Sequence, residues 1–431
     1  MTLRLLRFPL IGWATMMSDI AVLDVRLHGE PIGTLTRFPG DQVLFAFNEA
    51  YIADQDRPTL SLSFKDTRGG LITDVRAAQT RLPPFFANLL PEPGPMRDLL
   101  AARANIKPQR EFFLIAVLGR DLPGALRIEP VGGVMPPDGA SAVMGQSTMD
   151  AESPQPLRFS LAGVQLKFSA VKSAAGGLTV PADGVGGSWI VKLPSSRYPQ
   201  VPENEFAMME LARRVGIAVP ETRLLPINRI SGMPAEVTSP GDRAFTIKRF
   251  DRTSSGQLVQ IEDFAQVFGV YPEAKYGRPG QRASYRNIAE VLWAETGERG
   301  VTEFLRRLVF NVLIGNADMH LKNWSLVYQN RRTPELSPAY DFVSTIAYIP
   351  DDKLALTFVD SKEFASITTD QFERFAMKAR LPAKLTLDIV RETVARFADT
   401  WNSFDPSSIP QRVREAIKAH LPTVPIWSEM R

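Results

Sequence analysis

The segment Ile314-Gly315-Asn316-Ala317-Asp318-Met319-His320-Leu321-Lys322-Asn323-Trp324 holds the densest set of polar side chains in this sequence that could act together. It follows an apolar stretch of helical spacing and precedes a run, Trp324–Tyr328, of strand character. The polar groups therefore fall on a loop held between two regular elements. Asp318 and Asn323 are separated by four residues, an interval suited to sharing work on a phosphoryl group. Phosphoryl transfer needs a carboxylate that orients the attacking hydroxyl and accepts its proton, together with hard oxygen donors for Mg²⁺. Asp318 has the type for the first role and Asn323 for the second. Asp341, in Leu336-Ser337-Pro338-Ala339-Tyr340-Asp341-Phe342, would supply a second carboxylate one strand and one turn later. Taken alone, the pair is also what many turns contain, His320 reads as a packed histidine, and Lys322 reads as a solvated charge.

Upstream partners add weight. Lys192 stands mid-strand in Trp189-Ile190-Val191-Lys192-Leu193, where a lysine between apolar neighbours is costly unless it meets an anion. An ATP phosphate would serve, as would Glu205 from the next element. Alternatively the strand lies at an edge and Lys192 faces water. Ser160-Leu161-Ala162-Gly163-Val164-Gln165-Leu166-Lys167 is a candidate phosphate-covering loop, since small residues let backbone N–H groups approach closely. With one glycine it equally fits an ordinary hairpin turn. Ala244 to Arg252, including Lys248, Arg249 and Phe250, reads as the strand entering a hinge whose backbone could hold adenine, or as a basic strand end.

These groups need elements to hold them. From Ala21 to Phe64 the sequence alternates apolar and polar residues around the turn His28-Gly29-Glu30-Pro31, and Leu60–Phe64 is expected to continue the strands. Helices are expected near 95–105 and 110–119, and a strand near 125–129. Residues 18–130 thus read as a β-rich subdomain, and the Pro-, Gly- and Ser-rich stretch 131–156 as a linker. Residues 157–260 form a second β-rich block with one helix over Glu203–Val215 that stops at Gly216. Residues 261–431 are expected to be all helical, with stripes at 368–379, 386–403 and 409–420. This order, without βαβ alternation, predicts an α+β bilobal fold. Residues 1–17 read as a disordered tail or a mis-assigned start.

Composition narrows the chemistry further. The chain has 431 residues, and 50 Lys+Arg nearly balance 47 Asp+Glu, too evenly to demand a nucleic-acid partner. There are no cysteines and three histidines far apart, which excludes thiol chemistry and disfavours a multi-histidine metal centre. Any metal must then be held by oxygen, which suits Mg²⁺. No apolar run approaches a membrane span, so a cytoplasmic protein is expected.

Together the segments SLAGVQLK (Ser160–Lys167), WIVKLP (Trp189–Pro194), Asn204-Glu205-Phe206, GIAVP (Gly216–Pro220), KRFDR (Lys248–Arg252), QIEDFAQVFG (Gln260–Gly269), LIGNADMHLKN (Leu313–Asn323) and PAYD (Pro338–Asp341) resemble the HipA family, the kinase toxins of type II toxin–antitoxin modules. Gly29–Leu35 is similar to that family's amino-terminal domain. The resemblance implies a bilobal protein-kinase-like fold and an ATP-Mg²⁺-dependent Ser/Thr kinase. It makes Asp318 the catalytic base, Asn323 and Asp341 the Mg²⁺ ligands and Lys192 the phosphate lysine. ATP would be contacted from Ala162, Gly163, Val164, Gln165, Leu166, Lys167, Lys248, Arg249, Phe250, His320, Lys322 and Tyr340. Ser160 matches an autophosphorylated serine, and a phosphate there would repel those of ATP. A helix-turn-helix antitoxin bound to operator DNA is implied as partner, and an aminoacyl-tRNA synthetase as substrate. Asp341-Phe342-Val343 lacks the glycine of the general kinase DFG motif, so flipping of that segment is not assumed. The competing readings are a small-molecule phosphotransferase and an inactive scaffold for the antitoxin. SLAGVQLK and KRFDR speak against the first, and the intact Lys192, Asp318, Asn323 and Asp341 against the second.

Overall fold

The structure, a computed structural model, describes residues 22–132, 167–172, 177–180, 186–233, 241–278 and 280–431. Ser160 and residues 162–166, the first 17 residues and most of the expected linker lie outside the described residues.

The first unit is an antiparallel sheet of β1 (Val22–Leu27), β2 (Glu30–Phe38), β3 (Gln42–Phe47), β4 (Ala78–Gln79) and β5 (Leu126–Pro130), in the order β4-β3-β2-β1-β5. Alternation does its ordinary work here. Leu23, Val25 and Leu27 are buried while their neighbours are not. The buried face packs under α1 (Pro95–Arg103), α2 (Glu111–Leu118) and a helical turn at Pro84–Ala87, with Phe45, Phe47, Phe64, Phe85 and Phe86 in one aromatic cluster. Leu60–Phe64 does not continue the strands. Leu62–Phe64 is a 3-10 turn, because Ser61 accepts from the Ser63 N–H at 3.0 Å and also donates to distant Glu262. A tertiary partner overrides the alternation.

The second unit is a six-stranded sheet in the order β10-β7-β6-β8-β11-β9, built from β6 (Lys167–Lys172), β7 (Leu178–Thr179), β8 (Trp189–Lys192), β9 (Thr222–Pro226), β10 (Ile230–Ser231) and β11 (Arg243–Lys248). Helix α3 (Val201–Val215) packs on it and stops at Gly216, whose φ of +97° permits the left-handed cap.

The third unit is mostly helical. Its spine is α4 (Tyr285–Leu313), broken at Gly297, with Val301, Phe304, Leu305, Leu308, Val309 and Val312 buried along one stripe. Around it lie α5 (Thr369–Ala379), α6 (Ala383–Ser403) and α7 (Gln411–His420). The expected all-helical lobe also carries a three-stranded sheet, β12 (Gln260–Asp263), β13 (Ser325–Tyr328) and β14 (Glu335–Leu336). Of these, β13 is the strand expected at Trp324–Tyr328, whereas β12 and β14 are too short for periodicity to reveal them and the β12–β13 pairing joins segments about 60 residues apart. The small sheet holds the end of the Asp318 loop: Phe264 N–H donates to Trp324 O at 3.0 Å.

Candidate active site

Lys192 ends β8, the strand between β6 and β11, and its side chain is 6% exposed. Its ammonium lies 2.5 Å from Glu205 Oε1 on α3 and also pairs with Asp341. Lys167 sits directly opposite Lys192 in the β6–β8 ladder and lies 3.8 Å from the other oxygen of Asp341. Two cations in cross-strand register repel, and here two carboxylates offset them. Burial alone would lower the Lys192 pKa, but Asp341 and Glu205 outweigh it and the net direction is up. Glu205 is pushed up to about 7, burial outweighing Lys192. Asp341 is held below the usual carboxylate range because Lys167 and Lys192 overcome its burial. Its backbone takes φ +58°, the left-handed region that a non-glycine residue occupies only when its surroundings impose it.

Across from this group lies the loop following α4. Gly315, at φ +64°, turns the chain after the helix. Asn316 is wholly buried and binds three ways. Its Oδ1 accepts from Asp318 N–H at 3.1 Å, and its amide donates to Asn311 Oδ1 at 2.8 Å and to Asp341 O at 3.3 Å. One side chain thus ties the Asp318 turn to the Asp341 turn. Thr345 Oγ1 accepts from Ala317 N–H at 2.8 Å, and Tyr285 OH donates to Met319 O at 3.1 Å. Asn323 Nδ2 donates to Asp318 O at 2.8 Å, which turns its oxygen away as the remaining donor atom for a cation. Tyr340 OH donates to Lys322 O at 2.9 Å and lies 2.5 Å from Ser325 Oγ, so this tyrosine braces the loop through its hydroxyl.

Asp318 itself is almost wholly buried. Tyr276 OH donates to its Oδ1 at 2.6 Å, and His320 Nε2 lies 4.0 Å from the same oxygen. The Tyr276 ring meets His320 edge to face. Burial pushes the Asp318 carboxyl up to about 7, against the Tyr276 hydrogen bond and the charge of Lys275. A carboxyl tuned there suits general-base work near neutral pH. Burial, with Lys275 adding to it, drives His320 well below its ordinary value, so its ring is neutral.

The expected site residues therefore divide. Lys167, Lys192, His320, Asn323, Asp318 and Asp341 converge. Lys322 points away: its ammonium donates to Asn88 O at 2.9 Å and Asn88 Oδ1 at 3.1 Å in the first unit. The Arg249 guanidinium binds Asp251 at 2.7 Å and faces Asp121, at the junction with the first unit. Lys248 is exposed, and the Phe250 ring lies 5.8 Å from that of Tyr340. Ser160 and residues 162–166 lie outside the described residues. Tyr276, Lys275 and Asn316 were not singled out from sequence. Asn316 stands two residues before Asp318, a spacing that points to it, whereas nothing local marks Tyr276.

The donors facing one another are carboxylate and carboxamide oxygens, which fit Mg²⁺ and do not fit a softer metal. Among the described residues no group of three or more His, Asp or Glu side chains could enclose a metal. A cation held by Asn323 and Asp341 would thus need further oxygens from phosphates or water, as Mg²⁺ ordinarily does.

A β-rich lobe bearing a lysine–glutamate pair, set against a helical lobe that presents Asp318, Asn323 and Asp341, is a bilobal kinase-like fold. The chain belongs to the HipA family: residues 23–129 match the HipA N-terminal domain and residues 159–401 the HipA-like C-terminal domain. Y4dM of Sinorhizobium fredii, named as an inferred kinase, is 53% identical over 419 residues, 96% of this chain and 99% of that protein. The serine/threonine-protein kinase toxin HipA of Shewanella oneidensis is 26% identical over 372 residues, 80% of this chain and 79% of that protein. A chain in the solved complex of HipA, HipB and operator DNA from Shewanella oneidensis matches with a TM-score of 0.69 at 21% identity, covering 95% of this chain and 96% of that one, which shows the shared fold. No helix among the described residues is long and apolar enough to cross a membrane.

Proposed function

We propose that this chain is an ATP-Mg²⁺-dependent protein serine/threonine kinase and the toxin of a toxin–antitoxin pair. The observation that carries the reading is the convergence of Lys192, Glu205, Asp318, Asn323 and Asp341 from four separated segments onto one buried polar centre. In this reading Asp318 orients the acceptor hydroxyl and takes its proton. Tyr276 fixes which carboxylate oxygen is engaged, and Lys192, steered by Glu205, holds the nucleotide phosphates. Asn323 and Asp341 hold Mg²⁺, which when bound neutralises phosphate charge. The backbone at Lys248–Phe250 meets adenine, and the loop from Ala162 to Lys167 covers the phosphates. Ser160 is the site of self-phosphorylation and so of self-inactivation. A small HipB-like helix-turn-helix antitoxin, bound to operator DNA, restrains the kinase, and an aminoacyl-tRNA synthetase is its target.

The test is incubation of the purified chain with ATP-Mg²⁺ and mapping of phosphate by mass spectrometry, beside Asp318→Ala. Phosphate on Ser160 in the wild type and none in the variant is the expected result. A wild type that neither binds nucleotide nor gains phosphate overturns the reading. Transfer to small hydroxyl compounds but never to protein would replace it with a small-molecule phosphotransferase.

A further inference from the structure

The first unit touches the catalytic loop directly. It does so through one loop, Asn88 to Glu92, which follows the helical turn at Pro84–Ala87. Asn88 is 6% exposed and uses both ends of its side chain. Its amide donates to Pro84 O at 2.9 Å and Val270 O at 2.8 Å, while its Oδ1 and its own backbone carbonyl both accept from Lys322 Nζ. Lys322 lies next to Asn323 in the loop that carries Asp318. Four residues after Asn88, Glu92 Oε2 lies 2.6 Å from the ammonium of Lys275, a lysine whose side chain is 5% exposed. The Lys275 carbonyl accepts from Leu321 N–H at 3.1 Å, and the next residue, Tyr276, holds Asp318. Arg97, itself buried, secures the loop by donating to Pro91 O at 2.7 Å.

A buried lysine needs an anion. Two are at hand: Glu92 in contact, and Asp318, whose carboxyl feels the Lys275 charge. Glu92, at 2.6 Å, shares that charge with Asp318. Without it, Lys275 has Asp318 as the nearby carboxylate to turn to, and an ammonium on Asp318 would compete with an acceptor hydroxyl. Asn88 does the matching job on the far end of the loop, where it replaces water around the Lys322 ammonium.

We propose that the Asn88–Glu92 loop is a working part of the phosphotransfer centre, in which Glu92 and Asn88 act as positioning residues that hold Lys275 and Lys322 and thereby set Asp318. The first unit would then complete the kinase in cis, beyond its role as a docked neighbour. This rests on the kinase reading above, and the experiment separates the two.

The full-length protein and its variants are given ATP-Mg²⁺, and the rate of phosphate gain is followed by intact mass against ATP concentration. Nucleotide affinity is read separately by calorimetric titration with ATP-Mg²⁺. Glu92→Gln keeps the shape of the side chain and removes its charge; Asn88→Ala removes the second hold. Each is expected to lower the maximal rate at least tenfold, with half-saturating ATP and ATP affinity within twofold of wild type. Lys65→Ala is the control. Lys65 pairs with Glu295 across the same junction at 2.8 Å and is not part of the clamp on Lys275 and Lys322; its rate should equal that of wild type. Wild-type rates in Glu92→Gln and Asn88→Ala overturn the inference and leave the kinase reading standing. Equal slowing by Lys65→Ala also overturns it, since the effect would then belong to docking at large. Failure of the wild type itself to gain phosphate removes the kinase reading first.

Discussion

At the scale of single residues, the centre holds carboxyl groups whose environments push them in opposite directions. Asp341 is held ionised by two lysines, whereas Asp318 and Glu205 are raised to about 7 by burial. In the proposed roles, a metal-binding carboxylate and a proton-accepting one need that difference. It has a measurable consequence for stability. Between the unfolded value of 3.8 and the folded value of about 7, native Asp318 keeps a proton that the unfolded chain has released. The associated stability is fully present below the unfolded value and is lost as pH rises through 7. Asp318→Asn carries no such loss, so it should be more stable than wild type by roughly 4 kcal/mol at pH 8, with the gap closing toward pH 4. Urea melts at several pH values read this directly, and a gap independent of pH would contradict it. Removing Lys192, by contrast, should destabilise the fold. Lys192→Met leaves Glu205 and Asp341 buried without their shared cation and should cost about 3–5 kcal/mol. Adding Glu205→Gln to that variant should recover part of the loss at alkaline pH and little near neutrality, where burial keeps Glu205 protonated once Lys192 is gone.

At the scale of elements, what places these residues is mostly the ends of helices and strands. Helix α3 supplies Glu205 and, one residue earlier, Asn204, which donates to Ser344 O at 3.0 Å and accepts from Ser344 N–H at 3.1 Å. The lysine's partner and the segment after Asp341 are thereby fixed to each other. Helix α4 is followed by Gly315, whose φ of +64° aims the chain at Asn316 and whose carbonyl accepts from Thr345. A Cβ there would also stand 2.4 Å from Ile346 Cδ1. Gly315→Ala should therefore cost about 1–2 kcal/mol from backbone conformation alone, with phosphate transfer falling further than stability because Asp318 is three residues away. Parallel measurement of the melting temperature and the transfer rate tests this, and an unchanged rate would argue against Gly315 as the aiming point. The stripe of α4, the alternation of β1 to β3 and the cap at Gly216 were legible in sequence, since each depends on residues within a turn or two. The bend of Leu62–Phe64 and the pairing of β13 with β12 and β14 were not, since Glu262 and strand pairing across about 60 residues decide them. The same distinction runs through the site. Asp318, Asn323 and Asp341 carry their chemistry in type and spacing, whereas Tyr276 acquires its role only by lying 42 residues away from Asp318 in sequence and 2.6 Å away in space.

At the scale of the whole molecule, the KRFDR segment shows how a motif can be visible while its use is not. Its charges read as a basic strand end or a nucleotide hinge; in the fold, Arg249, Asp251 and Arg252 form a buried latch onto the first unit. Asp251 accepts from Gly124 N–H at 2.9 Å and binds both arginines, while Arg252 also reaches Gly124 O, Leu122 O and Asp121. Glu262 adds a second tie, accepting from Ser61 and from Leu62 N–H across the same junction. Burial alone would raise the Asp251 pKa, but Arg249, Arg252 and the Gly124 N–H together lower it. Its contribution is therefore present above the unfolded value of 3.8 and lost as pH falls through the lower folded one. Asp251→Ala leaves the buried Arg249 and Arg252 guanidinium groups to share Asp121 and should cost about 3 kcal/mol at neutral pH. Because that loss falls on the junction, the first unit, with its own core of Phe45, Phe64, Phe85 and Phe86, should melt apart from the rest. Scanning calorimetry should show one transition in the wild type at pH 7 and two in the variant. Acidification of the wild type below pH 3.8 should move it toward the variant's profile. A single transition in Asp251→Ala, merely shifted, would mean that Glu262 and the apolar contact couple the units without the latch.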